Sequence, residues 1–144
     1  KMSYFETKVK MEEIQRTGAI KEVTNTYLFD ALSFADAEGR AEEELSDQSS
    51  GLFLVASVRK RNFTEVIMSV NTIDDKFYEV RLAFITINDS GLEKKTNNTI
   101  LVQSFSLQNA VEKVQEYMKG SIADYELISV KQTPILEFHK YKVS

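Results

Sequence analysis

The chain has no cysteine and no tryptophan, one histidine, one proline and five glycines in 144 residues. Each scarcity removes a class of chemistry. Without cysteine there is no disulfide, no thiolate nucleophile, no zinc–thiolate site and no iron–sulfur cluster. That fits a reducing compartment, and a cytoplasmic location is expected. The lone histidine, His139, supplies no convergent set of metal ligands, and a Ser-His-Asp mechanism would need it as the shuttle. On a strand between Phe138 and Tyr141, such a residue is more often packed or solvated than catalytic. No metal, cofactor or catalytic residue is therefore expected, and the chain reads as a non-enzyme. No glycine-rich phosphate loop is present either; isolated Gly39 is expected to let another element approach closely. No apolar run nears the roughly 18 residues that cross a bilayer, so no membrane association is expected. The opening Lys1–Glu6 lacks the apolar core of a secretory signal, and Met2 reads as the natural start. A net charge of −4 argues against coating nucleic acid by bulk charge, while leaving room for a local basic patch.

What the chain does have is a second copy of itself. Tyr4-Phe5-Glu6 lies over Phe77-Tyr78-Glu79 at an offset of 73 (77 − 4). The same offset pairs Gly18 with Gly91, Leu28 with Leu101, Ser33 with Ser106 and Ala37 with Ala110. Later it becomes 72 (129 − 57), pairing Ser57-Val58 with Ser129-Val130 and Glu65 with Glu137. One offset held through strand, turn and helix cap implies two copies of one unit, about a pseudo-two-fold axis.

The unit reads β-β-α-β-β. Its first strand alternates, with Phe5, Thr7, Val9 and Met11 inward and Tyr4, Glu6, Lys8 and Lys10 outward. The second copy places Tyr78, Val80, Leu82 and Phe84 inward, and Phe77, Glu79, Arg81 and Ala83 outward. Turns centre on Gly18 and Gly91, where positive φ costs glycine nothing. Second strands follow over 22–30 and 95–103. Ser33 and Ser106 are N-caps, Asp36 approximates a capping box, and the apolar residues behind them recur at helical spacing. Closing strands are expected over 52–60 and 63–70, and over 125–132 and 135–143. Arg61-Asn62 and Thr133-Pro134 read as the tight turns between them.

The fold class is therefore α+β, one compact domain made of repeats 3–71 and 76–143. The simplest packing is two four-stranded antiparallel sheets, each covered by one helix. The closing strands of copy one could instead join the opening strands of copy two. That grouping, β-β-β-β-α, resembles a permuted PUR or Whirly plan in element order only, and implies no binding residues.

Three segments carry a family resemblance: Tyr4–Lys10, Tyr27–Glu38 and Met118–Glu126. In these the chain resembles a domain family of unknown function found in Bacteroidetes bacteria and their phages. The resemblance covers nearly the whole chain. It implies a small intracellular protein and brings no activity, cofactor or site.

Two surfaces stand out. Tyr4 with Lys8 and Lys10, and Phe77 with Arg81, place an aromatic and cations on one strand face in both copies. Arg59-Lys60-Arg61 adds a basic cluster at a hairpin tip. Stacking rings beside phosphate-holding cations are what single-stranded DNA or RNA uses, so these eight residues form the expected nucleic-acid site. The plainer account is edge charge that discourages aggregation, with the rings covered. The first helix is acidic at Asp36, Glu38, Glu42, Glu43, Glu44 and Asp47, against Arg40 alone. A solvated face is the usual meaning; the alternative is a docking surface for a protein partner, in an interaction or assembly module that could also be a homo-oligomer. Adjacent Asp74-Asp75 reads as a turn rather than an acid–base pair.

Overall fold

The computed structural model describes residues 1–142 and is α+β. Its elements are β1 (Ser3–Ile14), β2 (Ile20–Ala31), α1 (Phe34–Leu45), β3 (Phe53–Arg61), β4 (Glu65–Ile67), β5 (Lys76–Ile87), β6 (Glu93–Ser104), α2 (Leu107–Met118), β7 (Asp124–Gln132) and β8 (Ile135–His139). A short 3-10 turn, Ser46–Gln48, extends α1. The expected strand end at residue 143 lies outside the described residues.

Each repeat opens with a long hairpin. β1 pairs antiparallel with β2 from Ser3↔Ala31 to Ile14↔Ile20, and β5 with β6 from Lys76↔Ser104 to Ile87↔Glu93. The turns are the same turn twice. Gly18 and Gly91 have φ of 87° and 82°, and their N–H groups donate to the carbonyls of Gln15 and Asn88 at 2.9 Å in each case. Ser33 and Ser106 then start the helices by accepting the N–H of Asp36 and Asn109, at 3.0 and 3.1 Å. β3 and β7 pair antiparallel with β1 and β5, and each carries a bulge at the matched residues Ala56 and Ile128. An extra residue there leaves the ladder and twists the edge strand.

The closing strands do not fold back as hairpins. The sheet orders are β3-β1-β2-β8 and β4-β6-β5-β7. Each repeat therefore supplies three strands of one sheet and gives its last strand to the sheet built by the other. β8 pairs parallel with β2, and β4 parallel with β6, so each sheet has one parallel pair among antiparallel ones. This corrects the expectation of tight turns at Arg61-Asn62 and Thr133-Pro134. At those two places the chain passes between its two compact units, residues 1–62 with the segment from Pro134 on, and residues 63–133. It also corrects the β-β-β-β-α grouping, because β4 joins the second repeat's strands while β3 stays beside β1.

In the first unit, Val9, Met11, Tyr27 and Phe29 from the sheet pack with Ala41 and Leu45 of α1. In the second, Tyr78, Val80, Leu82, Ile100 and Val102 pack with Ala110, Val114 and Met118 of α2. The far faces are not open to solvent along their middles. Glu6, Thr26 and Leu28 are buried in one sheet, and Phe77, Glu79, Ala83 and Leu101 in the other. Alternation assigns residues to a face but does not tell whether distant chain covers that face, so Glu6, Phe77 and Glu79 read as outward and are nevertheless buried.

Candidate functional site

The predicted nucleic-acid residues are not one surface. Phe77, the expected stacking ring of the second copy, is 1% exposed and cannot receive a base. Its position on the outward side of β5 suggested exposure, but that side is buried here. Tyr4 is half-buried, with its ring edge-on to Phe138 at 5.8 Å between centroids. Arg59 and Arg61 lie at the end of edge strand β3, not at a hairpin tip, and both turn to the buried carboxylate of Glu6. Arg61 Nη1 stands 2.6 Å from Glu6 Oε1, and Arg59 Nη2 stands 3.4 Å from Oε2. The register sets this up, since Glu6 lies opposite Arg59 as Glu79 lies opposite Lys131 in the second sheet. A carboxylate 6% exposed needs such partners, because an unpaired buried charge is costly. Arg61 is thus largely spent on the fold, while Arg59 and Lys60 remain exposed.

What remains of the pattern in both sheets is one matched, exposed cation each. Lys8 and Arg81 are exposed at matched positions, with Lys10 half-buried further along β1. Each lies between two hydroxyl residues of its neighbouring strands: Ser57 and Thr26 beside Lys8, Ser129 and Thr99 beside Arg81.

The acidic helix is less uniformly free than its sequence suggests. Asp36 Oδ2 accepts the N–H of Leu32 at 2.9 Å. Arg40 donates to the carbonyl of Asp30 and, at 3.1 Å, to that of His139, and it lies 5.4 and 5.5 Å from the ring centres of Phe29 and Tyr141. His139 stacks on Phe29 at 5.1 Å, and its two ring nitrogens each meet a carboxylate at 3.0 Å, Glu44 and Glu137. Between α1 and residues 138–142 runs an open groove of about 910 Å³, lined on the helix side by Asp36, Arg40, Glu43 and Glu44. Glu38, Glu42 and Glu43 face solvent.

Arg40 has a counterpart that the repeat offset could have revealed. Lys113, 73 residues on, donates to the carbonyl of Gln103 at 2.9 Å, and Gln103 is the match of Asp30. It also pairs with buried Asp74 at 2.9 Å. Ser69 donates to the same Asp74 oxygen at 2.5 Å; this bond first, and Lys113 second, hold the carboxyl below the ordinary aspartate value. In both units a helix cation fastens the tail that follows the exchanged strand. Asp74 is therefore a structural anchor and Asp75 an exposed partner of Lys76.

Sequence reasoning missed one more duplicated feature. Leu32 and Phe34, which flank the cap of α1, are 67% and 52% exposed. Their matches Phe105 and Leu107, flanking the cap of α2, are 46% and 50% exposed. The 73-residue offset was the signal that could have found them.

Among the described residues, no group of three or more His, Asp or Glu is placed to hold a metal ion, and no helix is long and apolar enough to cross a membrane. No curated protein matches the chain. The family model for a domain of unknown function, DUF4494, matches residues 3–141, nearly the full length, and the chain with its duplicated architecture belongs to that family.

Proposed function

We propose that the chain is a non-enzymatic binding module whose partner is another protein, contacted through the apolar residues beside the two helix caps. The supporting observation is the match between copies: Leu32 with Phe105 and Phe34 with Leu107, all large, apolar and about half or more exposed. Single exposed leucines are ordinary on any protein surface. The same solvent-facing positions being apolar in both repeats is what a used surface would leave. Burying such side chains yields about 25 cal/mol per Å² of apolar area, and aromatic anchors often dominate interfaces. Exposed Glu38 and Glu42 on α1 add charge near one of the two pairs. The test is a photo-crosslinking amino acid at position 34 or 107, with position 119 as control, in cells that make the protein. A defined protein adduct from 34 and 107 but not from 119 is expected. Equal labelling from all three, or no adduct, would reject the reading.

A second reading is single-stranded DNA or RNA binding, favoured by the matched, exposed Lys8 and Arg81 with hydroxyls on both sides. It would use these cations and the exposed hydroxyls of Ser57 and Ser129 on phosphate, since Phe77 offers no ring. A fluorescent oligonucleotide titrated at several salt concentrations tests it. Binding that weakens with salt and is lost in Lys8→Ala/Arg81→Ala is expected; no binding at low salt rejects it.

A further inference from the structure

We infer that the place beside β2 filled by β8 also accepts β8 of a second copy of this chain, so that two chains associate by exchanging their C-terminal strands. The inference uses none of the four apolar positions above and stands or falls apart from that reading.

The strand that completes β2 comes from far along the chain. The edge of β2 is completed by a segment more than a hundred residues away: Thr26 pairs with Ile135, Leu28 with Phe138 and Phe29 with His139. The repeat that builds β1, β2, α1 and β3 does not use its own last strand there; β4 lies against β6. The β2 edge is thus a receptor for the closing strand of another repeat, and a second chain carries the identical strand.

β8 and the residues after it touch Tyr4, Phe29, Asp30, Arg40 and Glu44, all in one unit. Phe138 meets Tyr4, His139 stacks on Phe29 and pairs with Glu44, Arg40 holds the His139 carbonyl, and Tyr141 N–H donates to Asp30 at 2.6 Å. These partners are indifferent to which chain supplies the strand, so exchange conserves them.

The joint that leads into β8 is short. Thr133 is fixed to the second unit, its N–H and hydroxyl both donating to the Phe77 carbonyl at 2.8 and 2.9 Å. Ile135, 2% exposed, is already fixed in the first unit. Only Pro134 lies between, a residue of restricted φ that also restricts the residue before it. Short hinges between fixed ends invite exchange between copies. The balance is set by hinge length and by the effective concentration of the tethered strand, on the order of millimolar.

The absence of cysteine makes the test clean. Chains carrying only Glu44→Cys are mixed with chains carrying only His139→Cys and treated with a short bis-maleimide. A covalent heterodimer requires β8 of one chain on α1 of the other. Expected is a heterodimer yield about tenfold higher near millimolar than near micromolar protein, and well above a Lys119→Cys/His139→Cys control mixture. Deleting Pro134 should raise the yield, and inserting Gly-Ser-Gly after Pro134 should lower it towards the control. One chain carrying both thiols, dilute, should cross-link within itself, which shows that β8 is docked. Internal cross-linking without heterodimer above control at any hinge length overturns the inference. Failure of the internal cross-link overturns it as well, because β8 would not occupy the site.

Discussion

At the scale of single residues, the two copies calibrate one another. Thr7 is fully buried on β1, and its hydroxyl has no hydrogen-bond partner among the described residues. Its match 73 residues on is Val80, equally buried and apolar. An unsatisfied buried hydroxyl costs about 1–3 kcal/mol, and valine has nearly the same shape. Thr7→Val is expected to raise stability by about 1 kcal/mol in urea denaturation; a loss would mean that the hydroxyl is satisfied. Asp74 makes the opposite case, a buried polar group that is fully engaged. Its folded value lies below the ordinary 3.8 because Ser69, and then Lys113, favour the ionised form. A depressed carboxyl stabilises the fold above the unfolded value and loses that contribution as pH falls through the folded one. Stability measured from pH 5 to pH 2 should therefore drop less steeply in Asp74→Asn than in the parent chain. An unchanged slope would show that Asp74 does not report on folding. Sequence alone identified Asp74 as a turn residue but not its burial, because its partners Ser69, Lys113 and Gln103 come from three separate segments.

At the scale of elements, local signals were legible and their surroundings were not. Ser33 and Ser106 capped helices as their position before an apolar stripe implied, and Gly18 and Gly91 took positive φ in matched turns. These outcomes depend on a few neighbouring residues. Gly39 went the other way. It was expected to admit a close neighbour, yet a Cβ built there meets nothing within 4 Å. It therefore costs helix α1 the flexibility of glycine with no packing return. Gly39→Ala should stabilise the protein by about 0.5–1 kcal/mol, seen as a higher urea midpoint. Destabilisation would mean that the helix face is occupied after all. The outward strand faces failed for a related reason. Alternation tells which residues share a face, but whether that face is covered depends on distant chain. Phe77 and Glu79 look like surface residues in a window of ten and are buried in the fold.

At the scale of the whole molecule, duplication was readable and the exchange of strands was not. The repeat offset needs only two stretches of similar sequence. Choosing a neighbour for a closing strand is a different problem when the chain contains two near-equivalent places to pair. The edge of β2 and the edge of β6 offer alike geometry, and both closing strands carry suitable apolar residues, Val66 and Ile67 in β4, Ile135 and Phe138 in β8. Hydrophobic pattern cannot separate them. The long joint-free hairpins β1–β2 and β5–β6 leave one edge of each sheet to be filled, and the chain fills it reciprocally. Arg40 and Lys113 then fix the two tails that follow. The reciprocal exchange is the central claim, and backbone nuclear Overhauser contacts in the dilute, monomeric protein test it most directly. Cross-peaks linking Leu28 with Phe138 and Val66 with Leu101, in parallel register, are the predicted result. Antiparallel cross-peaks from Leu136 or Phe138 to Val130, placing β8 as a hairpin partner of β7, would contradict it.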